Sequence, residues 1–286
     1  MNMVSLSEAL ANSDHGGGNH LSAPIGRGPR GADSRHEIGD ISYTRTRIID
    51  QDRDLLRRNR VVSGLEKGPL TDAYKIMCIQ VLQRLRERKG NALAVVSPGN
   101  GEGKTITAIN LAISLACEVD QTVLLVDANL RQPTIHKYFG FAPQAGLADH
   151  LLSDTPLDQI LVNPGIERFV LLPGGRPLHN SAEMLGSLKM ERLVQELKLR
   201  YPSRMVIFDL PPVLSVADVV AFTPYVDGAL MVVQENKTKR EEIRRAAEML
   251  RSVDVIGTVL NQAAEAGIES EPTRKPWLRR IFGHKG

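Results

Sequence analysis

Gly99, Gly101 and Gly103, followed at once by Lys104 and Thr105, separate a short apolar run at Ala92–Ser97 from a longer one between Ile106 and Ala116. Glycines at this spacing let successive backbone N–H groups curl toward one anion, and the positive end of a following helix adds to the attraction. The layout is that of a phosphate-binding loop, with Pro98 where the general G-x-x-x-x-G-K-[ST] pattern has its first glycine. On this reading the chain from Gly99, Asn100, Gly101, Glu102 and Gly103 through Ile106 wraps the phosphates of ATP. Lys104 reaches the β/γ-phosphates, and the Thr105 hydroxyl holds Mg²⁺.

Two further apolar runs end in acids. Val123-Leu-Leu-Val-Asp127 and Met205-Val-Ile-Phe-Asp209 each deliver a carboxylate where a buried strand exits. Asp209, ahead of Pro211 and Pro212, suits a magnesium ligand. Asp127 suits a magnesium ligand or a base that accepts the proton of an attacking hydroxyl. Asn261 closes the last apolar run, where its amide could read an adenine edge or satisfy backbone groups.

Positioning these groups requires an alternating α/β chain. The pattern predicts strands at Ala92–Ser97, Thr122–Asp127, Phe169–Leu172, Met205–Asp209, Gly228–Gln234 and Val255–Asn261. It predicts a helix from a Thr71 N-cap to Lys89-Gly90, then helices at Thr105–Glu118, around Leu147–Leu152, and at Met190–Arg200, Ala217–Pro224 and Lys239–Val253. Strands of unbroken Val, Ile and Leu belong to a parallel sheet covered on both faces, whose ligands sit beyond the strands' carboxyl ends. The expected fold is a three-layer α/β P-loop NTPase with a mostly parallel central sheet and helices on both faces.

A chain of 286 residues, 42% hydrophobic, has the material for one sizeable domain with appendages. Its net charge of +3 is too small to argue for nucleic acid. Residues 1–47 are predicted to be disordered, being rich in Gly, Asn, Ser, Asp and Arg between Ser13 and Ser34. A segment at 48–68, with Leu55, Leu56, Val61 and Val62 as anchors, is expected to dock on the domain or on a partner. The domain proper is expected at 69–262 and a basic tail at 263–286. From Thr273 the tail has five Lys/Arg and no acid, and Trp277, Leu278, Ile281 and Phe282 share one face of a helix suited to an anionic membrane. No second basic stripe with interleaved aromatics argues for nucleic acid. Cys78 and Cys117 fall in apolar helical patterns and are expected as buried thiols of a cytosolic protein. No signal peptide is visible, and no run reaches the ~18 residues of a membrane span.

The set Gly101-Glu-Gly-Lys-Thr105, Leu-Leu-Val-Asp127-Ala-Asn129-Leu-Arg131-Gln-Pro133, His136-Lys-Tyr-Phe-Gly140, Gly146-Leu-Ala-Asp149, Leu172-Pro-Gly-Gly175, Asp209-Leu-Pro-Pro212 and Val226-Asp-Gly228 resembles the bacterial tyrosine kinases (BY-kinases) of capsular and exopolysaccharide systems, within the deviant-Walker P-loop ATPases. The resemblance covers roughly residues 68 to 262. It implies Mg·ATP held by Lys104, Thr105, Asp127 and Asp209, with Asn129 at the nucleotide. It implies phosphoryl transfer to tyrosine, with Lys104, Asp127 and Arg131 as the catalytic residues. It further implies self-association, a membrane chain-length regulator (a polysaccharide co-polymerase) as partner, and a place in the cytoplasm at the inner face of the cell membrane.

Four positions depart from the family pattern. Asn129 replaces the second acid of an Asp-x-Asp pair; its amide oxygen can ligate Mg²⁺ but cannot take a proton. None of the five tyrosines (Tyr43, Tyr74, Tyr138, Tyr201, Tyr225) stands in a C-terminal cluster, and Tyr43, in the segment expected to be flexible, is the acceptor candidate that remains, although it reads first as an ordinary linker tyrosine. The ring-assembly motif Glu-x-x-Arg-x-x-Arg reads Asp72, Lys75 and Cys78. Gly99 stands where partition and division-site ATPases have a lysine. The tail helix is nonetheless similar to the membrane-targeting helix of MinD-like ATPases. Two alternatives to the kinase therefore stand: a nucleotide-switched adaptor ATPase with little kinase activity, and a MinD/ParA-like positioning ATPase.

Overall fold

Ala92–Val96 is buried along its whole length. Successive side chains of a strand point to opposite faces, so Leu93 and Val95 enter one apolar cluster and Ala92, Ala94 and Val96 another. Thr122–Asp127 divides the same way, Val123 and Leu125 against Leu124 and Val126. A sheet that is apolar on both faces has to be covered on both, which accounts for the unbroken Val, Ile and Leu runs.

The computed structural model describes residues 2–4, 46–62, 64, 67–118, 121–199 and 204–263. In chain order the elements are β1 (Asn2–Val4), β2 (Arg47–Ile48), α1 (Arg53–Arg58), α2 (Pro69–Glu87), β3 (Ala92–Val96), α3 (Lys104–Ala116), β4 (Thr122–Asp127), α4 (Ile135–Tyr138), α5 (Leu147–Ser153), α6 (Leu157–Ile160), β5 (Val162–Asn163), β6 (Phe169–Leu172), α7 (Ser181–Leu185), α8 (Leu188–Leu199), β7 (Arg204–Asp209), α9 (Asp218–Phe222), β8 (Gly228–Gln234), α10 (Arg240–Met249) and β9 (Val255–Asn261). The strands form one sheet in the order β1-β9-β8-β3-β7-β4-β6-β5-β2. It is parallel except where β1 meets β9 and β5 meets β6. Helices α2 and α3 pack with Leu93 and Val95 on one face, and α5, α8, α9 and α10 with Ala94 and Val96 on the other. The expected three-layer α/β fold is the fold of this chain. From β3 the chain runs outward through β4 and β6, then returns to β7 and passes β3 to reach β8 and β9. That reversal places a crevice at the carboxyl end of β3.

Several boundaries differ from expectation. α2 begins at Pro69 behind Gly68, because proline's fixed φ suits the first helical position; Thr71 is a buried residue inside the helix, and Gly68 stands at the cap. α3 runs 104–116 and α10 stops at Met249, while α9 gives way to a 3-10 turn at Thr223–Tyr225 around Pro224. Cys78 is buried, but Cys117, just past the last turn of α3, is exposed, correcting the expectation of two buried thiols. Residues 2–4, within the segment expected to be disordered, and residues 47–48, where that segment meets the docking segment, are edge strands on β9 and β5. Tyr43, Tyr201 and the tail residues Trp277, Leu278, Ile281 and Phe282 lie outside the described residues. Among the described residues no helix is long and apolar enough to cross a membrane.

The segment at 48–68 docks on the domain itself. Leu56 and Val61 are buried, and Leu55 packs where Gly140 has no side chain: a Cβ there would come within 2.4 Å of Leu55 Cδ2. Asn110, a buried polar residue of α3, is the socket. Its Nδ2 donates to the Arg60 carbonyl at 3.0 Å and its Oδ1 accepts from the Val62 N–H at 2.9 Å. Asn110→Ala strands those partners in a half-buried setting and is expected to cost about 1 kcal/mol. Denaturant melts read the loss, and hydrogen exchange should show the Val62 amide losing protection first. Protection at Val62 unchanged from wild type would reject the socket.

Candidate functional site

The chain leaves β3 through Ser97 and Pro98 and turns back on glycines. Gly101 and Gly103 have φ of +75° and +90°, a region that side chains disfavour. A Cβ on Gly103 would also fall 2.0 Å from Asn261 Nδ2. The turn ends where α3 begins, and among the described residues the N–H groups of Gly103, Lys104 and Thr105 find no acceptor. Three free donors at the start of a 13-residue helix form an anion site.

Glu102 holds the loop in shape. Its carboxylate accepts from the Gly99 N–H at 2.7 Å and from the Thr238 hydroxyl, and its carbonyl accepts from Asn261 Nδ2 at 2.9 Å. Asn261 therefore braces the loop through Nδ2, the backbone-satisfying role its position allowed, and its amide has a second N–H and Oδ1 besides. Beyond β7, Val213 and Leu214 donate to the carbonyls of Ser97 and Pro98 at 2.9 and 3.2 Å, which laces the Pro211-Pro212 segment to the phosphate loop.

The two acids meet because β4 and β7 are neighbours in register. Asp127 and Asp209 are paired across the ladder, and both are fully buried. Each has one oxygen engaged. Asp127 Oδ2 accepts from the Thr134 and Ile135 N–H groups at 2.8 and 2.9 Å, while Asp209 Oδ2 accepts from the Thr105 hydroxyl at 2.8 Å. The other oxygen of each is buried without a partner. Burial, then the Asp209 charge, pushes the Asp127 carboxyl up to about 7 against the pull of the Ile135, Thr134 and Asn129 backbone. Burial raises Asp209 as well, opposed first by Lys104 and then by the Thr105 hydrogen bond. Unpartnered buried carboxylate oxygens call for a cation or a proton. Among the described residues no cluster of three or more acid, His or Cys side chains could hold a metal alone. The donor set instead fits Mg²⁺, which takes one or two carboxylates, a hydroxyl and the oxygens of its anionic ligand.

The remaining candidates sit around this centre in differing ways. Asn129 is buried just past Asp127. Ile106 packs its side chain on the core, so only its backbone can serve the loop. Arg131 is engaged with the buried Asp218, Nε to Oδ1 at 3.0 Å, and Ser181 binds the other oxygen of that acid. The pair ties the segment after β4 to α9. Sequence reasoning missed Thr238, whose signal was a hydroxyl four residues past a strand exit. It also missed what Gly146 does: a Cβ there would lie 2.3 Å from both Gly175 N and Pro173 O, in the loop that packs on the exit of Asp127.

The AAA domain family matches residues 91–263. The tyrosine-protein kinase YwqD of Bacillus subtilis is 31% identical over 208 residues, covering 72% of this chain and 86% of YwqD. The succinoglycan biosynthesis transport protein ExoP of Rhizobium meliloti is 27% identical over 219 residues, covering 75% of this chain but only 28% of ExoP. Among solved structures the kinase domain of VpsO superposes with a TM-score of 0.61 at 28% identity, covering 68% of this chain and 96% of that domain.

Proposed function

We propose, from the premise that this chain belongs to the bacterial tyrosine-protein kinases of the AAA domain family, that it binds Mg·ATP and transfers a phosphoryl group to tyrosine hydroxyls in the control of exopolysaccharide or capsule synthesis and export. One observation carries the reading: two buried carboxylates paired across β4 and β7 each have one anchored and one unpartnered oxygen, and one of them, Asp209, takes the Thr105 hydroxyl directly after Lys104. Magnesium, when bound, supplies charge neutralisation between the phosphates. Asp209 and Thr105 would hold it, with Asp127 facing it from the neighbouring strand exit. The N–H groups of Gly103, Lys104 and Thr105 orient the phosphates, and the Lys104 ammonium offsets their charge. Asp127, whose burial raises the proton affinity of its carboxylate, takes the tyrosine proton at Oδ1 in its ionised form. Arg131 positions the segment after β4 through Asp218.

The likeness to ExoP, named for succinoglycan biosynthesis transport, supports a polysaccharide setting. The proposed partner is a membrane chain-length regulator, met at the cytoplasmic face of the inner membrane, with Trp277, Leu278, Ile281 and Phe282 as the surface contact. Tyr43 is the proposed acceptor within the chain; Tyr74 is buried in α2. Asn129 in place of an acid favours a second reading, a nucleotide-switched adaptor in which ATP orders the loops after β4 and β7 and turnover is slow.

Calorimetry with ATP and Mg²⁺, followed by labelled ATP and mapping of phosphotyrosine, separates these. Metal-dependent uptake with phosphotyrosine is expected. Uptake without phosphotyrosine, even with the regulator present, leaves the adaptor. No uptake of nucleotide rejects both.

A further inference from the structure

The phosphate loop has one cation, Lys104, and one acid, Glu102; Pro98, Gly99, Asn100, Gly101 and Gly103 bring no charge. A second ammonium group nonetheless lies on it, from a different part of the chain. Lys237, in the turn between β8 and α10, places Nζ 3.4 Å from the Asn100 carbonyl oxygen. The same atom is 3.4 Å from the point a Cβ of Gly101 would occupy.

Its placement is built by bonds other than its own. The Lys237 and Thr238 N–H groups donate to the Gln234 carbonyl at 3.3 and 3.0 Å, across an Asn236 with φ of +56°. The Thr238 hydroxyl accepts from the Gln234 N–H at 2.9 Å and donates to Glu102 inside the phosphate loop. The turn and the loop are thus one braced unit. Among the described residues Nζ has no carboxylate partner within ion-pair distance. A single long contact to a carbonyl at an exposed position repays little of the rotamer freedom a lysine loses. An ammonium beside a multiply charged anion gains much more.

We propose that Lys237 is a second phosphate-binding residue, its ammonium held over Asn100 and Gly101 by the Gln234–Thr238 turn so that it joins Lys104 in neutralising a bound nucleoside triphosphate. The assignment rests on the nucleotide-binding reading above. It makes binding dependent on the number of charges in the phosphate chain and on salt, beyond what Lys104 alone provides.

The test is calorimetry on the full chain with Mg·ATP and Mg·ADP at low and high ionic strength, for wild type, Lys237→Met, Lys237→Arg and Lys104→Ala. Lys237→Met is expected to weaken ATP about tenfold and ADP by a smaller factor, with a flatter salt dependence. Lys237→Arg should stay within about twofold of wild type, since it keeps the charge. Lys237 is exposed, so thermal melts should show both Lys237 variants folded as wild type is. Unchanged ATP affinity in Lys237→Met, or an equal loss for ATP and ADP with the salt dependence intact, overturns the assignment. If Lys104→Ala abolishes ATP binding while Lys237→Met retains it, only the second cation falls. If Lys104→Ala binds ATP as wild type does, the nucleotide reading falls and this one with it.

Discussion

Asp127→Asn is expected to cut phosphotyrosine formation by about a thousandfold while making the metal-free protein more stable. The two effects have one origin. A positioned base contributes on the order of 10²–10⁴ to a proton-transfer step, and an amide cannot take a proton. Binding should suffer far less, because the Asn carbonyl can still accept the Thr134 and Ile135 N–H groups and Thr105 and Asp209 remain to hold the metal. Stability moves the other way because wild-type Asp127 buries an unpartnered oxygen next to a second acid. Above about pH 7, where the wild-type carboxyl is ionised, replacing it removes like-charge repulsion and the desolvation of a charge. Phosphotyrosine rates and calorimetric ATP affinities measure the first effect. A variant that transfers phosphate at the wild-type rate would exclude Asp127 as the base.

The pH dependence of the metal-free chain follows from the same pair. Asp127 is raised from 3.8 to about 7 on folding, so between those values the native state binds the proton more tightly than the unfolded chain. The contribution is fully stabilising below the lower value and is lost as pH rises through the upper one. Wild type in chelator should therefore lose on the order of 2 kcal/mol between pH 5 and pH 8, roughly 4–8 °C in Tm. Asp127→Asn should flatten that slope.

The central fold was legible because its strands are apolar on both faces and its site residues stand at strand exits. Period and punctuation are local signals, and Asp127, Asp209 and Lys104 are each announced by the run before them. The rest turns on contacts remote in sequence or on where a helix ends. Nothing within ten residues of Asn110 shows that it pairs with Arg60 and Val62, so the docking segment could be placed only as far as "domain or partner". Asn261 is separated by 159 positions from the carbonyl it serves, and a lone amide reads equally well as a ligand group. Cys117 sits in an apolar periodicity, yet α3 ends one residue earlier and leaves it outside. Thr71 has a cap's residue type, but Gly68 and Pro69 just upstream start the helix first.

Gly146→Ala is expected to do more damage than any substitution of the phosphate loop's first glycine, a ranking opposite to the one motifs suggest. A Cβ on Gly99 would meet nothing closer than Glu102 Oε1 at 3.6 Å, ordinary contact with a side chain able to move. A Cβ on Gly146 would lie 2.3 Å from Gly175 N and from Pro173 O, and 2.7 Å from Gly174 C, all backbone. The backbone there cannot step aside cheaply. Leu147 and Ala148 donate to the Pro173 and Gly174 carbonyls at 2.8 and 3.0 Å, and Gly146 itself donates to Asp149 Oδ2 at 2.9 Å. The extended φ of −161° at Gly146 suits any residue, so the penalty is steric alone. Overpacking a fixed backbone contact is expected to cost about 3 kcal/mol, roughly 6–12 °C in Tm, against less than ~0.5 kcal/mol for Gly99→Ala. The displaced segment also reaches the site: a Cβ on Gly174 would lie 3.1 Å from the Asp127 carbonyl oxygen, so any shift of residues 173–175 is felt at the strand exit that holds the acid. Gly146→Ala should therefore lose activity beyond its loss of folded fraction, measured as rate per folded molecule at a temperature where both variants are native. Equal melting temperatures for Gly146→Ala and Gly99→Ala would show that the loop pair after β6 is looser than its hydrogen bonds imply.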